Sequence, residues 1–220
     1  MPAFDARGKP ITALLFVFAG LFPVVNPVGG APLFLELTPG NSDPYRAKLA
    51  AGIARYSFLL LLGSFFAGAY VLEFFGLTLP IVRIGGGLVV AFFGWNLLQS
   101  PDAPSATTKP RAFSPGEVFY PLTMPLTVGP GEISVAITLG SRRPHWSAYT
   151  DLAIVIGGSV AGLLAIAVSI YVCYRYAEKM IRMLGEGGTS VLVRLSAFIM
   201  RCIGIGIIWE GYSALDPLAR

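Results

Sequence analysis

Six apolar stretches of roughly membrane-spanning length, joined by short polar connections, dominate this chain. They run over about Ile11–Leu37, Tyr56–Leu77, Leu79–Leu98, Gly116–Leu139, Leu152–Tyr174 and Val191–Leu215. Crossing ~30 Å of hydrocarbon takes ~20 mostly apolar residues in a helix. Inside lipid every backbone polar group must find a partner in the protein, so only helices and closed barrels span. Barrel strands would alternate over ~10-residue segments, and no such alternation is present. The chain therefore reads as an all-α integral membrane protein with six transmembrane helices.

Composition agrees. Of 220 residues, 55% are hydrophobic and 13% charged, whereas soluble domains carry about 25% charged residues. A chain this short cannot hide that apolar surface in one aqueous core. Residues 1–220 form a single membrane domain, with the lipid bilayer as its solvent. The Pro/Ser/Thr-rich segment 100–114 is its one obvious linker. Arg7 and Lys9 before an apolar run resemble a signal peptide. No small-x-small cleavage site follows, so the run is read as a retained first span.

The net charge of +4 does not point to nucleic acid, because the basic residues are scattered among loops without interleaved aromatics. Lipid headgroups are the better partner. Cys173, Cys202 and the lone His145 make neither a disulfide framework nor a metal site. Metalloprotease, nucleophile-elbow, Walker and dinucleotide motifs are absent, so no cofactor, enzymatic activity or ATPase of its own is expected. With six spans, the termini and even-numbered loops hold six basic residues. The odd-numbered loops hold eight once Arg55 and Arg201, partly within spans, are set aside. The imbalance favours external termini.

The two halves resemble one another. Phe22–Gly29 (FPVVNPVG) matches Tyr120–Gly129 (YPLTMPLTVG), Gly63–Gly68 matches Gly158–Gly162, and Val82–Ile84 matches Val193–Leu195. The matches fall in the same order, one per consecutive span. Repeats of about 11–99 and 115–215 would hold three helices each. Three is odd, so the second repeat must be inverted, as in many secondary transporters.

The first and fourth spans are expected to be broken. Pro removes a helical donor and Gly weakens a helix. Pro23, Asn26, Pro27, Gly29, Gly30 and Pro32 crowd the first; Pro121, Pro125, Gly129, Pro130 and Gly131 crowd the fourth. Irregular backbone at membrane depth survives only beside protein or a water-lined cavity. Matched breaks in two halves are the best sequence pointer to a transporter's binding site. Short helices should restart near Ala31 and Glu132, with unpaired N–H groups and a positive dipole end facing the ligand. Such ends suit a small carboxylate, and Thr123, Thr127 and Ser134 could add side-chain hydrogen bonds. Glu132, ionisable within a span, is a candidate for a coupling ion. It could equally compete with the substrate or serve as a plain helix-end charge. Kinks and close packing are the bland alternative for both clusters.

Asn26–Phe34 (NPVGGAPLF) and Phe119–Ser134 (FYPLTMPLTVGPGEIS) closely resemble the two signature segments of the MarC family, and the resemblance covers essentially the whole chain. It implies six spans in a bacterial inner membrane and transport of small solutes, neutral amino acids foremost. By that resemblance Asn26, Pro27, Gly29 and Pro32, then Pro121, Pro125, Gly129, Pro130 and Gly131, carry the site. Glu132 stands where the family pattern leads one to expect a smaller or neutral residue. A non-transporting scaffold and an intramembrane enzyme using Glu132 or Glu210 are the competing readings. No dimer face is legible, though a homodimer is compatible with the sequence.

Overall fold

The computed structural model describes residues 10–99, 112–141 and 149–215. The linker, His145 and both termini expected above lie partly or wholly outside that range. Helix α1 spans Pro10–Val25 and α2 Pro27–Leu37. Then come α3 (Asp43–Phe74), α4 (Leu79–Gln99) and the single turn α5 (Pro115–Glu117). A wide helical turn, Val118–Thr123, leads through an irregular stretch to α6 (Pro130–Ser141). Helices α7 (Tyr149–Arg175) and α8 (Ala177–Leu215) complete the chain.

Five helical segments among the described residues are long and apolar enough to cross a membrane: Pro10–Leu35, Asp43–Phe74, Leu79–Asn96, Val155–Arg175 and Gly187–Leu215. The exterior is correspondingly apolar, with Phe74 84% and Trp209 67% exposed. In water such a surface would aggregate; in lipid it is solvated. Helix α3 starts earlier than the hydropathy pattern indicated. Its 32 residues reach ~48 Å at 1.5 Å per residue, more than the ~30 Å hydrocarbon core. Its first turns, with Arg46 and Lys48, can therefore stand clear of lipid.

Local chemistry explains the joints. Pro27 disfavours right-handed helix at residue 26, and Asn26 adopts the left-handed region, φ 46° and ψ 57°, which Asn tolerates better than most residues. Pro27 and Pro130 occupy first positions of α2 and α6, where a missing N–H costs nothing. Both helices thus restart earlier than Ala31 and Glu132. Ser114 and Glu117 cap each other ahead of the fourth segment. Helix α8 turns at Gly185, φ 68° and ψ 177°, a conformation essentially reserved for glycine.

The packing is made by close glycine contacts. Pro10 lies against Gly158, and Leu14 and Val17 against Gly162, so α1 runs alongside α7 in the same direction. Val118 lies at Gly52 and Ile137 at Gly68, so the fourth segment as a whole follows α3. Gly87 faces Gly204, and Gly94 faces Ala197 and Arg201, so α4 and α8 run antiparallel. Leu21, Phe34, Ile53, Leu61, Leu122, Leu163, Ile166, Ile170 and Tyr174 fill the main core.

Candidate functional site

A cavity of about 50 Å³ lies where the two interrupted segments meet. Asn26, Gly29, Gly30 and Leu33 line it from the first break; Pro125, Leu126, Gly129, Pro130 and Glu132 line it from the second. Val89, Val90 and Phe93 of α4, with Met200 of α8, form its apolar wall. One water needs about 10–15 Å³ of such cavity space, and ordinary ligand pockets hold about 300–1,000 Å³. The cavity has room for a few waters and must widen to take a metabolite.

The two breaks differ in width. In the first, one residue interrupts the helix: Asn26 N donates to Phe22 O at 2.9 Å and Gly30 N to Asn26 O at 3.0 Å. Pro23 and Pro32 sit inside α1 and α2, each leaving the carbonyl four residues earlier without its helical donor. In the second, Tyr120 leaves helical geometry and regular α-helix resumes only at Pro130. Thr127 N and Val128 N both donate to Thr123 O at 2.9 Å, tightening this stretch into a turn.

At each helix restart one amide is taken by a side chain. Gly29 N donates to Asn26 Oδ1 at 3.1 Å, and Gly129 N donates to Glu132 Oε2 at 2.8 Å. Each restart is capped by its own side chain, as orphan amides require. A solute carboxylate reaching these two amides would have to displace the capping oxygens.

Of the residues singled out in the sequence, Asn26, Gly29, Gly30, Pro125, Gly129, Pro130 and Glu132 share the cavity. Pro27 and Pro32 are buried behind it in α2. Thr123 Oγ1 donates to Val118 O at 2.8 Å. Thr127 Oγ1 donates to Leu122 O at 2.8 Å and lies 3.1 Å from the Tyr174 hydroxyl. Ser134 Oγ donates to Val82 O at 3.1 Å, and Gly131 fits against Val90 and Gly86. These six support the site without lining it.

Tyr174, at the end of an apolar run, carries no signal in the sequence. Fully buried, it stacks on Phe34 at 4.9 Å between ring centres and packs against Gly30. The apolar wall was likewise invisible, because Val, Phe and Met within an apolar span carry no distinguishing mark.

Asn26→Ala is expected to lower thermal stability in detergent. It loses a cap worth ~1 kcal/mol and, at up to a further ~1 kcal/mol, the tolerance for the left-handed region that Asn has and Ala lacks. Asn26→Gly should recover about half of that, since glycine accepts this conformation. Equal melting temperatures for the two variants would contradict the assignment.

A model described as MarC family integral membrane protein matches residues 11–215. The chain is 32% identical over 219 residues to a protein named UPF0056 inner membrane protein MarC from Salmonella typhimurium, covering 96% of each chain. The Salmonella arizonae protein of that name is similar at 32% with the same coverage. One from Escherichia coli (strain UTI89) is 31% identical over 199 residues, covering 87% of this chain and 90% of the relative. No solved structure matches.

Proposed function

Because the chain belongs to the MarC family of integral membrane proteins, we propose that it is a secondary transporter of small polar solutes, neutral amino acids foremost, across the bacterial inner membrane. The observation that carries this reading is the convergence of both chain breaks on one cavity. A transporter needs a polar site within lipid depth reachable from each side in turn, and interrupted helices provide one.

Parity supports six crossings. Arg46, after the first span, donates to Glu178, between the last two, at 2.8 Å. Those connections therefore share one side of the membrane, which requires an even number of crossings between them. Helices α3, α4 and α7 supply three, so the broken segment supplies the fourth.

Chain direction supports the inverted repeat. The first segment follows α7 as the fourth follows α3, while α4 and α8 oppose each other. Exchanging the halves maps this set of pairings onto itself with every direction reversed. The small cavity must widen for a solute to pass, and alternating access would open it to either side. It also suits the rival scaffold reading, in which nothing passes.

Uptake by purified protein in liposomes separates the two. Small neutral amino acids are expected to enter above the protein-free background, under a proton or sodium gradient or by counterflow. No uptake of any of them would contradict transport.

A further inference from the structure

We propose that Glu132 is the ammonium subsite of the cavity: the solute binds as a zwitterion, its cationic end at Glu132 and its carboxylate toward Asn26. This rests on the transport reading above and adds the polarity with which the solute is held.

Glu132 lines the cavity, is 8% exposed, and has Gly129 N on Oε2 at 2.8 Å. An ionised carboxylate can accept about four hydrogen bonds, so most of its capacity is left over. No ion pair reaches it among the described residues. The elements packed against α6 explain why. Helix α1 carries no ionisable side chain. Of the charges on α3, Arg46 is engaged with Glu178 and Thr38, and Arg55 lies over Tyr56. The others, Asp43, Lys48 and Glu73, are exposed. Arg83 of α4 donates to Thr138 Oγ1 at 3.2 Å. Arg201 of α8 stacks on Trp95 with 4.3 Å to the ring centre, and the Tyr174 hydroxyl sits at Thr127. A buried charge without a counter-charge is costly, and a cationic ligand group would relieve it.

The first break has the complementary group. Asn26 spends Oδ1 on Gly29 N, which leaves its Nδ2 as a donor with no protein partner among the described residues. One break therefore offers a buried carboxyl group, which a cationic ligand group would pair with, and the other a neutral donor. That asymmetry matches ammonium plus carboxylate. A bare carboxylic acid would bring no cation to Glu132, and a bare amine would leave Nδ2 unanswered.

The test uses full-length protein in detergent and three probes of one carbon skeleton: alanine, propionate without the ammonium, and ethylamine without the carboxylate. Alanine is expected to bind at least about tenfold more tightly than either, the scale of a charge-assisted hydrogen bond. Glu132→Gln should weaken alanine by a similar factor and bring the alanine-to-propionate ratio toward one, while Glu132→Asp keeps the preference. Propionate binding wild-type protein as well as alanine would overturn the proposal, whether or not the variants fold. So would Glu132→Gln retaining the alanine preference while proton-dependent uptake is lost, which would make Glu132 a proton carrier. If no amino acid binds or moves at all, the transport reading itself fails. If alanine binds without preference, only the present inference does.

Discussion

Replacing Gly129 with leucine is expected to bring uptake in proteoliposomes down to that of protein-free vesicles, while the protein still inserts and folds. A Cβ at Gly129 would lie 3.1 Å from Pro125 O and 3.2 Å from Glu132 Oε2. That is tight but short of exclusion, so the backbone can accept it. The remaining carbons have nowhere to go but the cavity, whose 50 Å³ holds only water-sized groups. They would also push Glu132 off the amide it caps. Gly63→Leu is the matched control: Gly63 is exposed on α3 with nothing within 4 Å of its would-be Cβ. It should transport as the parent does. Wild-type uptake by Gly129→Leu would put the pathway elsewhere.

The largest loss of stability is expected at Gly204→Val, on the seam between α4 and α8. A Cβ there would meet Ala91 N at 2.5 Å and Gly87 O at 2.7 Å. Both are backbone atoms of a helix and cannot rotate away. Small residues at such crossings let backbones approach closely, which is how helices associate in lipid. Overpacking costs typically ~1–3 kcal/mol and more where nothing can yield, so the seam should part and the melting temperature fall sharply. Gly206→Val, two residues on, faces open space and should melt like the parent. Equal melting of the two valine variants would contradict the crossing.

Much of this architecture was readable in advance because lipid imposes strong rules. Apolar runs of span length located the helices, and the Pro/Gly clusters at 23–32 and 121–131 located the breaks. The width of each break was not readable. Pro23, Pro27 and Pro32 look alike in a sequence, yet only Asn26 between them leaves the helix, since Pro27 can begin a new one. The fourth segment opens far more widely although Pro121, Pro125 and Pro130 repeat those same spacings: Tyr120 leaves the helix and regular geometry resumes only at Pro130.

The capping of Gly129 by Glu132 has a local signal, a carboxylate three residues after a helix-start position. The Arg46–Glu178 contact joins residues 132 apart in the chain and had no local trace. Neither did the apolar cavity wall, whose membership depends on which faces of α4 and α8 turn inward.

All of the functional reading depends on the two breaks facing one solute-accessible space. Single cysteines at Leu33 and Leu126, one beside each break and both lining the cavity, test this in protein lacking Cys173 and Cys202. Both should react with a small hydrophilic thiol reagent, and one bound amino acid should protect both. Reaction at one position alone, or at neither, as expected for a lipid-facing cysteine at Gly63, would contradict the shared site.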